Sequence, residues 1–163
     1  MILNTNKTEI DSLLTVNNDI YRIIKKLDND QDVKKLLIHT TQKPLQGKEV
    51  TQSLIDKQIS RVALLPYDEE EGSVINVTFV NGTIIPESGV LLATLAIDVF
   101  TPGNQWVINE GVRPLLIGYA INNVMKDVIQ TDGVKYRLTD ILNAQLTDIL
   151  LGYRFIYTAV IDD

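Results

Sequence analysis

Residues 90–100, VLLATLAIDVF, and residues 112–129, VRPLLIGYAINNVMKDVI, decide the fold. In the first stretch every second residue from Leu91 to Val99 is apolar, which predicts a strand with one continuous buried face. In the second stretch apolar residues cover most of a helix, and Pro114 suits its first turn. A helix with so narrow a polar side is expected to be buried on more than one side. We therefore expect it to pack on the apolar face of the strand.

Further strands are expected on both sides of this pair. Residues 73–80 alternate between apolar and polar, and Asn81-Gly82 follows as a strong hairpin signal. Residues 83–85 would be the returning strand, although a bulge or a loop fits equally well. Strands are also expected at residues 62–67 and 153–161, whereas residues 134–152 fit a strand or a helix.

The N-terminal segment is predicted to be helical over residues 8–40. Asn17 or Asn18 is a candidate N-cap for a second helix and Asp30 for a third, which gives three short helices. We therefore expect a helical N-terminal arm at residues 1–45 and an α+β domain at residues 46–163. The predicted fold class is α+β: an antiparallel or mixed sheet with one long helix packed on a face, preceded by short N-terminal helices.

Composition excludes several classes of protein. The 163 residues carry a net charge of −6, which disfavours a protein that grips nucleic-acid phosphates. There is no cysteine and one histidine, so cysteine chemistry and histidine-rich metal sites are excluded. Phosphate-loop, dinucleotide and nucleophile-elbow motifs do not occur. These absences remove most enzyme classes, and we expect that no metal or nucleotide is required.

Membrane insertion is not expected either. The longest apolar stretch, at residues 89–100, is interrupted by Thr94 and Asp98 and is too short to span a bilayer. Residues 1–8 are polar and do not resemble a targeting segment, so synthesis in a cytoplasm is the expectation.

Two isolated features are candidates for chemistry. His39 lies near the expected end of a helix, and a structural or solvated role is favoured over catalysis. The acidic run of Asp68, Glu69, Glu70 and Glu71 is expected to be a solvated loop, with a partner contact, a pore contact or a divalent cation as the alternatives.

Three residues point instead to an interface. Asp98 and Arg113 are charges within apolar elements, and a buried charge needs a partner. A neighbouring subunit could supply both partners, or the two residues could pair with each other inside one chain. Trp106 lies on the connection between them, where it could cover the core or anchor an interface.

The region from about residue 62 to the end resembles the tail-terminator and neck ring proteins of tailed bacteriophages. The resemblance is carried by three loose motifs: residues 95–100, LAIDVF, with a turn and Trp106; residues 111–115, GVRPL, which open the long helix; and residues 152–157, GYRFIY. It implies a homo-oligomeric ring, usually of six subunits, at the head–tail junction or the tail end. It also implies no enzyme activity, no catalytic residues, no cofactor and no small-molecule substrate.

The resemblance also implies partners and a location. The partners would be other copies of the chain and neighbouring neck or tail-tube proteins, with DNA only as passing cargo. The location would be the virion, after assembly in the host cytoplasm. The expected interface residues are Asp98, Trp106, Arg113 and Tyr153. Six copies at −6 each give −36, which suits a channel wall that does not attract phosphates.

Two other classes remain open at the level of the sequence. A non-catalytic intracellular binding, adaptor or inhibitor domain, acting as a monomer or a dimer, would share the acidity and the lack of motifs. An enzyme that uses carboxylates alone would need two converging acids, for which the sequence gives no signal.

Overall fold

The computed structural model describes residues 5–51, 58–60, 72–133 and 135–161. Within these residues the helices are α1 (Thr5–Leu27), α2 (Gln31–Ile38) and α3 (Arg113–Asp132), and short 3-10 turns occur at Pro44–Gln46 and Gly103–Gln105. The strands are β1 (Ile59–Ser60), β2 (Val74–Ile85), β3 (Val90–Pro102), β4 (Val107–Ile108), β5 (Gly111–Val112), β6 (Arg137–Gln145) and β7 (Leu150–Ile161).

Among the described residues, five strands form one mixed sheet in the order β1-β2-β3-β7-β6. β1 runs parallel to β2, and the other neighbours are antiparallel. β4 and β5 form a separate two-stranded ribbon immediately before α3. The α+β fold with a long helix on the sheet is therefore confirmed.

The core lies between β3 and α3, as the two deciding stretches predict. Leu95, Ile97 and Val99 on β3 have no exposed surface, and they share one hydrophobic cluster with Ile117 and Ile121 of α3. Alternate residues of a strand share a face, and these three therefore form the side of the sheet that the helix covers.

A glycine lets α3 approach the sheet closely. A side chain at Gly118 would collide with the Phe155 ring on β7. Phe155 lies directly opposite Ile97 of β3, so the helix crosses over the central strands of the sheet.

The N-terminal helices differ from the prediction of three short ones. α1 is one helix of 23 residues, and Asn17 and Asn18 lie exposed in its middle rather than at a cap. An exposed asparagine costs a helix only a few tenths of a kcal/mol, and burial of the apolar stripe outweighs that cost. The helix start predicted at Asp30 is confirmed. The Asp30 side chain accepts a hydrogen bond from the Val33 N–H and caps α2.

Both N-terminal helices contribute to the same core as the sheet. Ile23 and Leu27 of α1 and Leu37 of α2 are fully buried in the cluster that contains β3. An ion pair between Lys26 and Asp127 also links α1 to α3, at 2.9 Å. The division at residue 45 into an arm and a second region stays a prediction.

The prediction of a hairpin turn at Asn81-Gly82 is wrong. The register between β2 and β3 shifts between Phe79 and Asn81, and β2 then continues to Ile85. The structure therefore has a bulge, which was the alternative to a returning strand at residues 83–85. The turn between β2 and β3 follows at residues 86–89. Gly89 closes this turn with φ +68°, a conformation that favours glycine.

Residues 134–152, which fitted a strand or a helix, contain strand β6. The strand expected at residues 62–67 lies outside the described residues. Among the described residues, no helix is long and apolar enough to cross a membrane, and no group of three or more metal-ligating side chains comes together.

Candidate interaction surface

Asp98 has its charge partner inside the chain. It lies directly opposite Arg154 in the β3–β7 register, and the guanidinium binds both carboxylate oxygens, with Nε–Oδ1 at 2.7 Å and Nη2–Oδ2 at 2.8 Å. Asp98 is 3% exposed, whereas Arg154 reaches solvent. The hydrogen bond to Asp98 raises the pKa of Arg154. The expectation that Asp98 pairs with a neighbouring subunit or with Arg113 is therefore wrong.

Arg113 is also satisfied inside the chain. It has no exposed surface, and its guanidinium donates four hydrogen bonds to backbone carbonyl oxygens. The acceptors and distances are Gln105 at 3.0 Å, Leu36 at 3.0 Å, His39 at 2.6 Å and Thr41 at 2.9 Å. The expectation that a neighbouring subunit completes Arg113 is therefore wrong as well.

The position of Arg113 at the start of α3 has a physical reason. Three of its four acceptors, on Leu36, His39 and Thr41, lie at and just beyond the C-terminal end of α2, where carbonyl groups have no partner within the helix and the helix dipole is negative. The fourth, on Gln105, lies in the 3-10 turn after β3. Burial lowers the pKa of the guanidinium, and the nearby carboxylate of Glu110 acts in the opposite direction. Arg113 thus joins α2 to the start of α3 and belongs to the interior.

Trp106 and Tyr153, the other two expected interface residues, lie against each other. Their ring centroids are 5.9 Å apart, with the planes tilted by 43°. Both rings are partly exposed, and Tyr153 packs against the hydrophobic core. The structure brings this aromatic pair together at the end of the sheet near the start of α3, and its role in an interface stays a prediction.

Neither His39 nor the acidic run forms a functional site among the described residues. The Nε2 atom of His39 lies 2.8 Å from the carbonyl oxygen of Lys48, and its ring occupies the space beside Gly47. The side chain thus joins two segments of backbone. The acidic run from Asp68 to Glu71 lies outside the described residues.

Strand β6 is the feature that sequence reasoning missed. It occupies one edge of the sheet, and none of its nine residues is buried. Leu138, Ile141 and Leu142 are 36%, 47% and 46% exposed. An alternation of apolar and polar residues was the available signal, but the bulge between Leu138 and Asp140 interrupts it.

The apolar residues of β6 lie on both faces of the sheet. Ile141 is opposite Phe155, on the side that α3 covers, and Leu142 is opposite Arg154, on the other side. An exposed edge strand presents backbone N–H and C=O groups that can pair with another strand. Because β6 adds apolar side chains on both faces, a strand paired with it would bury side chains as well as backbone.

A protein-family model matches most of the chain. The YomW family model matches residues 30–159, which run from the start of α2 into β7 and include β6. No curated protein matches the chain. The family name is of a phage-derived type and suggests a phage-associated protein. Since the match spans 130 of the 163 residues, the chain belongs to the YomW family.

Proposed function

We propose that the chain is a structural protein of a tailed-phage virion that forms a homo-oligomeric ring at the head–tail junction or the tail end. The observation that carries the proposal is β6, an edge strand whose nine residues all have exposed surface and whose apolar side chains lie on both faces. The phage-associated family name supports the virion setting. In this proposal the chain works by assembly and carries out no reaction.

An edge strand of this kind is unfavourable in a protein that remains a monomer. Soluble proteins usually protect sheet edges with charges, prolines, bulges or covering segments. β6 carries charges only at Arg137 and Asp140, both in its first half, and has a bulge beside Asp140. The second half, from Ile141 to Gln145, has no charged residue. This half is therefore the part of the edge best suited to contact another chain.

The aromatic pair extends the same surface. Tyr153 lies opposite Asn143 of β6, so the Trp106–Tyr153 contact borders the uncharged half of the strand. Large aromatic side chains contribute much of the binding energy in many interfaces. We therefore assign β6, Trp106 and Tyr153 to one subunit contact, which retains two of the residues expected from the sequence.

Replacing Ile141 with lysine is expected to convert the assembly to monomers. A lysine on an edge strand opposes strand pairing because its charge would have to be buried. Ile141 is 47% exposed, so the monomer should fold and melt as the wild type does. Size-exclusion chromatography with light scattering measures the mass, and circular dichroism measures the melting temperature.

The matched control is Tyr21→Lys on α1. Tyr21 is 52% exposed and lies beside Asn18 and Lys25 of the same helix rather than against a sheet edge, so this variant should assemble like the wild type. A wild-type chain that is monomeric or dimeric at every concentration would contradict the ring and favour a binding or adaptor domain. Assembly of the Ile141 variant equal to the wild type would remove β6 from the contact.

A further inference from the structure

We infer that the subunit contact joins opposite edges of the sheet, with β6 of one copy alongside the β1–β2 edge of the next copy. This inference rests on the proposed function and names the partner surface of β6. The sheet order β1-β2-β3-β7-β6 places the two surfaces at its two ends. A contact between different surfaces of identical chains repeats from copy to copy, and it closes into a ring when the rotation allows.

The second surface has the same character as the first. Every residue of β2 from position 79 to position 85 is exposed. Phe79, Val80, Ile84 and Ile85 are between 39% and 48% exposed. Phe79 and Ile84 lie opposite Leu95 and Leu91 on the side that the helices cover.

Ile85 lies on the other side of the sheet, because strand neighbours point to opposite faces. The β2 edge therefore offers apolar side chains on both faces, as β6 does. Each edge can therefore pair its backbone with the other edge and pack apolar side chains against it on both faces of the sheet.

Strand directions favour this arrangement. β2, β3, β7 and β6 alternate in direction along the sheet, so β6 runs opposite to β2. β1 is parallel to β2 and therefore also opposite to β6. When neighbouring copies keep the same orientation around a ring axis, β6 meets the β1–β2 edge in antiparallel orientation. Antiparallel pairing is slightly more stable per residue than parallel pairing.

Charges at the ends of the two surfaces are complementary. Arg137, at the start of β6, is at the level of Thr158, Thr94 and Asn81 across the sheet. Glu87 lies in the turn that follows β2, at the same end of the sheet. Glu87 lies six residues beyond Asn81, so the two charges meet when β6 of one copy is shifted by about this length along the β2 edge of the next. This register places β6 along the exposed part of β2 and brings Ile141 close to Ile84. Opposite charges of this kind fix orientation more than they raise affinity.

A two-fold pairing of β6 with β6 is the alternative for a second copy. That contact would leave the apolar residues of the β2 edge exposed in both copies. It would also stop at two chains, because one isologous contact uses the same surface of each partner. The contact between opposite edges covers both surfaces in every copy of a closed ring.

The absence of cysteine makes a direct test possible. A chain carrying both Ile141→Cys on β6 and Ile84→Cys on β2 would place one thiol at each edge, both on the side of the sheet that the helices cover. The two edges of one chain are three strand spacings apart, about 14 Å. A bismaleimide cross-linker shorter than this distance can therefore join thiols of different copies but cannot join the two within one copy.

The double variant is expected to give a ladder of dimers, trimers and larger products on a denaturing gel, whereas each single variant stays monomeric. The control moves the second thiol from β2 to the exposed Tyr21 on α1, as Ile141→Cys with Tyr21→Cys, and should give no ladder. Dimers from Ile141→Cys alone would overturn the inference in favour of β6–β6 pairing.

Light scattering on the wild type distinguishes failure of the inferred edge contact from failure of the proposed ring. A ring-sized wild type together with no ladder from the double variant would overturn the contact between opposite edges and leave the ring standing. A wild type that is monomeric at the same concentration would instead overturn the proposed function, and the inference with it.

Discussion

Replacing Arg113 with alanine is expected to lower the free energy of unfolding by about 3–5 kcal/mol. The guanidinium has no exposed surface and donates hydrogen bonds to four backbone carbonyls. Alanine would leave these acceptors without a donor and open a cavity between α2 and the start of α3. Denaturant melts followed by circular dichroism measure the loss.

Lysine at position 113 separates the charge of the side chain from its geometry. A lysine retains the positive charge but cannot reproduce the planar fork of donors, so a substantial part of the loss should remain. Lys126→Ala is the control, because Lys126 is exposed on α3, outside the proposed subunit contact, and its loss should change stability by less than about 0.5 kcal/mol. A loss below about 1 kcal/mol for Arg113→Ala would show that the four hydrogen bonds do not hold these segments together.

Replacing Gly152 with alanine is expected to destabilise the fold by about 3 kcal/mol or more. An added methyl group would overlap the carbonyl group of Val99, and it would also lie 3.1 Å from the Phe100 Cα. These are backbone atoms of the neighbouring strand β3, so no rotation of a side chain can relieve the overlap. The strands β3 and β7 would have to move apart at the centre of the sheet.

Gly103→Ala serves as the control for this substitution. A methyl group there would meet only the Ile149 carbonyl oxygen, at 3.9 Å, which is an ordinary contact. The two variants make the same chemical change, and the difference between their melting curves isolates the approach of β7 to β3. Equal stabilities would contradict the close contact at Gly152.

The central strand and helix could be predicted from the sequence because their patterns are long and regular. Leu91 to Val99 alternate without interruption, and each of the apolar residues on that face is buried. The start of α2 was predicted at Asp30, since a side-chain cap is a local signal. The break at Asn17 was wrong because packing of α1 on the core, which is not local, outweighs a weak helix former.

The partners of the charged residues could not be predicted for a related reason. Asp98 and Arg154 are 56 positions apart, and they meet only because the β3–β7 register places them opposite each other. Arg113 binds carbonyl groups about 75 positions away, which carry no side-chain signal in the sequence. Reversing the charge of Arg113 therefore reports on folding and not on the subunit contact.

The candidate surface was only partly predictable. Trp106 stood out as a large aromatic residue on a connection and Tyr153 as part of the motif at residues 152–157, and the structure places the two in contact. β6 did not stand out, because its bulge breaks the apolar alternation and its residues fit a helix equally well. Its exposure follows from its place at the sheet edge, which is a property of the topology.

Electron microscopy of the purified chain tests the central claim most directly, because it shows the shape of the assembly as well as its size. The account predicts closed rings with a single subunit number, six by the resemblance to tail-terminator and neck proteins, and their loss in the Ile141→Lys variant. Dispersed monomers or two-fold dimers at concentrations that allow assembly would contradict it.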